Sequence, residues 1–286
     1  MRTEQEVMKL ITEFGNINSP IRAIIMNGSR VNKNVQKDKM QDYDIVYVVT
    51  NPLLYIEDKS WLSYFGEICI MQEPDDSVLF KVEVDKENSY GFLVQFMDGV
   101  RIDFTFQSIP HALNNIYKDK LTKIILDKDY ILPRIPDASD EDYILRRPSR
   151  HEFRDCYIEF WWVCTYIAKG LYRNELLYAM DHLNFHVRPM LLLMLAYKAG
   201  HNNGYNISFG KNYKYLPKYL DILDYRRLED TYTLLESDSL WDALESMMEF
   251  FDSLSLEVSK LLGYDIDKQM VKNTVGFIKR IKNKEI

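Results

Sequence analysis

Three aspartates in the first half of the chain have a spacing that suits metal binding. Asp42 and Asp44 stand two residues apart where an apolar run begins, so on a β-strand both carboxylates would lie on one face, about 7 Å apart along the chain. Such carboxylates repel each other, and Mg²⁺, which prefers oxygen ligands, relieves that repulsion. Asp103 alternates with the apolar Ile102 and Phe104, and an Asp inside such a strand usually needs hydrogen bonds or a metal ion. If the two strands are neighbours, the three carboxylates converge.

A Gly-Ser pair precedes these acids and has the chemistry that binds phosphate. Gly28 and Ser29 follow an apolar run, and residues 30–41 separate them from Asp42. Glycine lets the backbone approach a ligand closely, and a turn after a strand can direct N–H groups and a hydroxyl at phosphate oxygens. Taken singly, the pair is typical of a turn, and the acids are typical of a capped or solvated strand end. Their order along the chain predicts metal-assisted phosphoryl or nucleotidyl transfer.

The segments around these residues have the patterns of an α/β domain. An amphipathic helix is predicted over 3–14, and the turn pair Asp98-Gly99 between two alternating runs predicts a β-hairpin over 90–106. Further strands are predicted over 21–26, 44–49 and 67–72. Because strands and helices interleave, we expect a mixed sheet in a domain over residues 1–135.

The remainder of the chain predicts a second, helical domain. Residues 136–149 carry prolines and the acidic run "DASDED", which suits an inter-domain linker. Beyond them, apolar residues recur at helical spacing over 150–286. The expected fold is therefore α+β, with an α/β-like N-terminal domain and an all-α C-terminal helical bundle.

Glycine and proline mark the expected ends and bends of these helices. A helix over 150–170 is predicted to stop at Gly170, and Pro189 is predicted to kink a helical segment over 173–200. The clearest apolar periodicity starts near residue 239 and is followed by Gly263, which predicts a long helix that ends there.

Composition excludes several classes of function. The chain has 286 residues and a net charge of −7, which disfavours nucleic acid as a partner and favours a cationic substrate. The N-terminal stretch has no apolar signal core, and no apolar run is long enough to span a membrane. Three cysteines without a metal-ligand pattern fit a reducing compartment. We therefore expect a cytoplasmic protein without a membrane partner.

The predicted helix over 150–170 has a second face on which acidic and aromatic residues recur. Glu159 and Trp162 lie on that face, opposite an apolar stripe, and Asp181 follows on the next predicted helix. Carboxylates and rings together suit a polycationic sugar, because carboxylates pair with ammonium or guanidinium groups and rings cover apolar sugar faces. An ordinary solvated face has the same periodicity, so the pattern alone leaves both interpretations open.

Several longer stretches resemble one family closely. The order Gly28-Ser29, "DYDI", "IDF" resembles the signature of DNA polymerase beta-like nucleotidyltransferases. Within that superfamily the chain is similar to aminoglycoside 6-adenylyltransferases of the streptomycin-modifying type. The stretches that carry the closer resemblance span nearly the whole chain and include "QDYDIVYVVT", "RRPSRHEFRDCYIEFWWVCTYIAKGLYRNELLYAMDHLN", "VRPMLLLMLA" and "GKNYKYL". Asn27 departs from the pattern, since the superfamily usually has an apolar residue there.

The resemblance implies transfer of AMP from ATP to an aminoglycoside hydroxyl, with release of pyrophosphate. Gly28 and Ser29 would contact the nucleotide phosphates, and Mg²⁺ would be held by Asp42, Asp44 and Asp103. Asp103 would also draw the proton from the acceptor hydroxyl, a role for which Glu159 and Asp181 are alternatives. Further expected phosphate contacts are Arg30, Lys211 and Lys214.

The resemblance also favours the substrate interpretation of the acidic and aromatic helix face, for Glu159 and Trp162. Asp181 is a third candidate contact for the cationic aminoglycoside. Two other functions stay open from the sequence. One is nucleotidyl transfer to a different acceptor, such as another antibiotic or a protein hydroxyl. The other is a nucleotide-binding regulator without turnover.

Overall fold

The chain folds into two compact units. The computed structural model describes residues 1–79 and 85–286. The units are Met1–Asp142 and Tyr143–Ile286. The first contains a mixed sheet with helices and the second is all-α, so the predicted fold class is confirmed. Within the described residues, no helix combines the length and the apolar character needed to cross a membrane.

A mixed sheet forms the centre of the first unit. Its strands are β1 (Ile21–Asn27), β2 (Tyr43–Val49), β3 (Ile68–Gln72), β4 (Ser89–Phe96), β5 (Arg101–Ser108) and β6 (Thr122–Asp127), in the spatial order β3-β4-β5-β2-β1-β6. The helices of this unit are α1 (Glu4–Ile17), α2 (Leu53–Glu57) and α3 (Ile109–Asn115). β2 and β5 run parallel and the other neighbouring pairs are antiparallel, so the predicted hairpin between β4 and β5 is confirmed.

The alternation of side chains along β2 separates its two faces. Tyr43, Ile45 and Tyr47 join an aromatic core to which α1 contributes, and α1 is held at its start by a capping box on Thr3. Val46 lies on the opposite face, in a smaller apolar cluster to which α3 contributes. By the same alternation, residue 44 lies on the face of α3 rather than on the aromatic face.

The second unit is built from helices around one apolar core. They are α4 (Arg150–Tyr172), α5 (Leu176–His182), α6 (Arg188–Asn202), α7 (Ile222–Glu229), α8 (Ser237–Leu262) and α9 (Lys268–Lys282). The rings of Phe160 on α4 and Phe251 on α8 stack with their centroids 3.6 Å apart in the middle of this core. The helical periodicity of residues 150–286 is thus confirmed.

One predicted helix end was wrong, and packing explains it. α4 does not stop at Gly170 but continues to Tyr172. A Cβ atom at Gly170 would lie 2.8 Å from the Tyr178 ring, so this glycine permits close approach of α5 rather than ending a helix. At Pro189 the irregularity precedes the proline: a π-helical turn, Leu183–Val187, connects α5 to α6. Proline lacks an N–H, which leaves a carbonyl of the preceding turn without its usual partner.

Part of the predicted linker packs on the first unit. Asp140 is buried there and accepts hydrogen bonds from Asn32 Nδ2 (3.2 Å) and Asn34 Nδ2 (2.8 Å). These contacts fasten residues 136–142 to the polar segment that leads into β2. The buried carboxylate therefore helps to order that segment.

Candidate active site

Asp44 lies in the middle of the predicted site because of the strand order. Its neighbours across the sheet are Asn27 on β1 and Asp103 on the parallel strand β5. Residues paired in register on neighbouring strands project to the same face of a sheet. Two carboxylates far apart in sequence are thereby placed side by side, and Asp42 immediately precedes β2.

Gly28 is the residue that makes room for Asp44. Its φ of +75° lies in the left-handed region, and a Cβ atom there would be 2.1 Å from Asp44 Oδ2. The turn after β1 therefore contacts the carboxylate directly, so the Gly-Ser turn and the acids form one local structure.

The three acids influence one another electrostatically. Burial, and after it the negative charges of Asp103 and Asp42, raise the pKa of Asp44 to about 6. The raised pKa therefore has burial as its main cause and the surrounding negative charge as its second cause. This charge is a property of the folded sheet, since it depends on the pairing of β2 with β5.

Arg101 is the site residue that the sequence reasoning missed. Its guanidinium donates to both carboxylate oxygens of Asp103, at 2.8 Å each, and lies 3.5 Å from Asp42 Oδ2. The hydrogen bond to Asp103 raises the pKa of Arg101. A sequence signal was present, because Arg101 stands two residues before Asp103 and shares its face of β5.

The donor chemistry of the three acids fits a magnesium ion. Carboxylate oxygens are ligands that Mg²⁺ prefers in proteins. In this structure the positive charge beside Asp42 and Asp103 comes from Arg101, which occupies the place of a cation. Among the residues that the structure describes, no three His, Cys, Asp or Glu side chains are arranged as a ready metal site. Because Arg101 bridges Asp42 and Asp103, binding of a cation by all three acids requires that guanidinium to move.

Ser29 and Arg30 occupy different environments. Ser29 Oγ accepts a hydrogen bond from Gln41 Nε2 at 3.3 Å, so the turn after β1 contacts the segment before β2. Arg30 is buried, donates to the carbonyls of Gln41 (2.7 Å) and Asp42 (3.1 Å), and stacks over Tyr43. Its guanidinium also lies 3.7 Å from Glu4 Oε2 on α1, so Arg30 joins the loop between β1 and β2 to the first helix. The predicted phosphate contact would require Arg30 to leave these partners.

The predicted acceptor contacts lie in the second unit. Glu159 is exposed on α4, and Trp162 on the same helix is 59% exposed with its Nε1 donating to Tyr166 Oη at 2.8 Å. Asp181 is exposed on α5, whose His182 packs edge-on against Tyr166. The acidic and aromatic face is therefore a solvent-facing surface, opposite the buried stripe of α4.

Lys211 and Lys214 lie in a short turn with unusual backbone geometry. Gly210, Asn212 and Tyr213 have φ values of +68°, +55° and +58°. Both lysines are exposed. Non-glycine residues with positive φ are held in place by surrounding structure, and they occur often at ligand-binding segments.

Comparison with known proteins covers almost the whole chain. The streptomycin adenylyltransferase family matches residues 1–281. An aminoglycoside 6-adenylyltransferase from Staphylococcus aureus is 38% identical over 281 residues, 98% of each chain. One from Bacillus subtilis is 39% identical over 289 residues, which covers 99% of this chain and 100% of the relative. A crystal structure of an aminoglycoside 6-adenyltransferase from Bacillus subtilis matches with 34% identity, 99% coverage of both chains and a TM-score of 0.49.

Proposed function

The chain belongs to the streptomycin adenylyltransferase family and is a nucleotidyltransferase; from this premise we propose that it transfers AMP from ATP to a hydroxyl of an aminoglycoside. The proposed acceptor is streptomycin, modified at its 6-position, and the modification inactivates the antibiotic. The observation that carries the proposal is the pairing of Asp44 with Asp103 beside the Gly28 turn. This pairing places the acidic residues next to a turn whose N–H groups and hydroxyl could bind phosphate.

The reaction proposed for this site is a displacement at phosphorus. The acceptor hydroxyl oxygen forms a bond to the α-phosphorus of ATP, and the bond from that phosphorus to the bridging β-oxygen breaks. Pyrophosphate leaves with the bonding electrons, and the hydroxyl proton passes to a carboxylate. Asp103 is the proposed proton acceptor, with Glu159 and Asp181 as alternatives. Because Arg101 donates to both oxygens of Asp103, the proton would be taken by a lone pair that the guanidinium does not occupy.

Asp42, Asp44 and Asp103 are the residues proposed to hold Mg²⁺. When bound, the ion supplies charge neutralisation for the phosphates and the leaving group. The chain supplies the rest of the arrangement. Gly28 keeps the backbone close to Asp44, and Gln41 orients the Ser29 hydroxyl, which is proposed to contact the phosphates together with backbone N–H groups of the turn.

Two lysines of the second unit are proposed to contact the nucleotide. Lys211 and Lys214 are exposed, and the positive φ angles of Asn212 and Tyr213 between them hold the turn in a conformation that few sequences adopt. Ammonium groups at this turn suit the β- and γ-phosphates and the developing charge on pyrophosphate. Arg30 is proposed to act on the site indirectly, by holding Asp42 through its carbonyl.

The exposed face of α4 is proposed to bind the cationic acceptor. Glu159 would pair with a guanidinium or ammonium group, and Trp162 would cover an apolar face of a sugar ring. Tyr166 holds the indole through its hydroxyl, which limits the rotation of Trp162. Asp181 is proposed as a further carboxylate for the same ligand.

Pyrophosphate release tests the proposal directly. The protein would be incubated with ATP and Mg²⁺, with streptomycin or with each member of an aminoglycoside panel, and the modified position would be located by NMR of the product. Release that depends on streptomycin is the expected result, and the Asp44→Asn protein would serve as the inactive control. ATP binding without release for any aminoglycoside would contradict the proposal and indicate a different acceptor or a regulator.

A further inference from the structure

A glycine in the middle of the last helix has no explanation in the fold itself. Gly276 lies inside α9, where glycine is unfavourable relative to alanine because of its backbone entropy. Its φ is not in the left-handed region, and among the described residues nothing lies within 4 Å of a Cβ atom built on it. Neither backbone conformation nor close packing therefore requires a glycine at this position.

Gly276 lines a groove between α8 and α9. The groove has a volume of about 620 Å³, which is within the range of about 300–1,000 Å³ typical of small-molecule sites. Its apolar wall is aliphatic, and consists of Leu256, Ile266, Val271 and Val275. A side chain larger than hydrogen at Gly276 would project into this space.

Three lysines lie along the same stripe of α9 as the glycine. Lys268, Lys272 and Lys279 line the groove, and with Gly276 they follow the spacing of one helix face over about 16 Å. In the part of the chain that the structure describes, none of these three ammonium groups is in a salt bridge, whereas Lys282 on the same helix pairs with Glu245 at 2.8 Å. Asp252 is the acidic residue in the lining, and the positive charge of Lys268 acts on its carboxylate, so the lining has three lysines against one aspartate.

An excess of positive charge beside an aliphatic wall determines the chemistry of a suitable ligand. In a chain with net charge −7, an anion is repelled by most of the surface and attracted to such a stripe. We propose that this groove binds a small organic anion with an aliphatic body, whose acidic groups contact Lys268, Lys272 and Lys279 while its apolar part lies against Gly276. The groove has no lining residue in common with the acids of the sheet, and the proposal does not depend on the proposed transferase reaction.

Titration calorimetry with octanoate, octyl phosphate and octanol tests this site on the full-length protein. The two anions distinguish a carboxylate site from a phosphate site, and octanol has the same body without charge. Saturable binding of at least one anion and weaker binding of octanol are expected. Equal binding of octanol and both anions would overturn the proposal, because the lysines would then have no role.

Substitutions at the glycine and the lysines locate the binding. Gly276→Leu fills the groove and is expected to weaken anion binding more than tenfold, whereas Gly276→Ala leaves most of the space open. The double variant Lys272→Gln/Lys279→Gln removes two of the three proposed charge-assisted contacts and is expected to weaken binding at least about tenfold. Lys260→Gln on α8 removes an exposed charge that does not line the groove and should leave binding unchanged. Unchanged binding in Gly276→Leu, with its melting temperature retained, would place the anion elsewhere and refute the site.

Discussion

At the scale of single residues, Asp44 combines a proposed function with a cost to stability. The pairing of β2 with β5 places its carboxylate beside Asp103 in a partly buried position. A neutral side chain at this position would relieve the repulsion but would lack the negative charge that the proposed cation site requires. Strongly shifted pKa values often mark functional sites for this reason.

The first prediction concerns Asp44→Asn. The pKa of Asp44 is about 6 in the folded protein, above its ordinary value of 3.8. A raised carboxyl pKa means that ionisation destabilises the fold: the effect is absent below pH 4, grows as the pH rises towards 6, and stays constant above it. We expect the Asn protein to be more stable than the wild type by about 1–3 kcal/mol at pH 7.5, equally stable near pH 4, and inactive.

Urea unfolding at both pH values and pyrophosphate release measure these effects. A loss of stability at pH 7.5 would show that Asp44 is held by favourable contacts rather than by repulsion. Retained turnover would refute its assignment as a metal ligand.

The second prediction concerns the contact between Gly28 and Asp44. Gly28→Ala places a methyl group 2.1 Å from Asp44 Oδ2 and strains a backbone with φ of +75°. Gly204→Ala is a matched control, because Gly204 has φ of +64° and open space around its Cβ position. Backbone strain should cost each variant about 1–2 kcal/mol of stability, and the clash with Asp44 should add to that loss in Gly28→Ala. Steady-state kinetics should show a large loss of activity for Gly28→Ala alone; equal activity in the two variants would contradict the role of this contact.

The third prediction concerns Arg101, which neutralises Asp42 and Asp103 in the absence of other cations. Arg101→Gln leaves three carboxylates without that charge, so its melting temperature in EDTA should fall below that of the wild type. Mg²⁺ should then raise the melting temperature of the variant more than that of the wild type, since ligands stabilise the state that binds them. Arg22→Gln, which breaks the pair with Asp129, is the control and should show no enhanced response. A response of Arg101→Gln no larger than that of Arg22→Gln would exclude a cation site at these acids.

At the scale of elements, the hairpin of α8 and α9 contains two glycines with opposite roles. Gly263 follows α8 with φ of +71° and caps its end, whereas Gly276 lies inside α9. At both positions a Cβ atom would have no neighbour within 4 Å among the described residues, so packing affects a substitution equally little at either glycine. The backbone conformation alone decides the effect of a substitution.

The fourth prediction follows from this contrast. Gly263→Ala should destabilise the protein by about 1 kcal/mol, because alanine strains the left-handed conformation. Gly276→Ala should stabilise it by about 0.5–1 kcal/mol, because alanine is the better helix former. Thermal and urea unfolding of the two variants beside the wild type measure both signs. A destabilised Gly276→Ala protein would mean that the groove has a structural function in the unliganded state.

At the scale of the whole molecule, the net charge of −7 bears on how a cationic substrate reaches the protein. The negative electrostatic field of the protein attracts a cationic ligand from a distance, and dissolved salt weakens this attraction by screening the charges. The exposed acids of α4 add a local contribution.

The fifth prediction is that kcat/KM for the cationic acceptor falls as NaCl is added, because the attraction governs encounter. Glu159→Gln should weaken this salt dependence, whereas Glu229→Gln on α7 removes an exposed charge elsewhere and should change it less. Steady-state kinetics at a series of NaCl concentrations compares the slopes. Equal slopes for the two variants would exclude a special role of Glu159.

Much of this protein could be predicted from local patterns in the chain. Alternation of apolar residues marks the strands, helical periodicity marks α4 and α8, and the turn pair Asp98-Gly99 marks the hairpin. The Gly-Ser turn and the three aspartates could be identified as candidate site residues by type and spacing. Such features depend on neighbours along the sequence, and therefore a linear pattern records them.

The tertiary structure decided which of these residues meet. Alternation shows which side of a strand is buried but not which strand lies beside it, since pairing depends on the packing of the entire sheet. Thus the contact of Asp44 with Asp103, the bridge made by Arg101 and the burial of Arg30 on backbone carbonyls appear only after folding. Gly170 and Gly276 illustrate the same limit: each is a glycine in a helix, and only the space around it shows that one permits close packing and the other leaves a groove open.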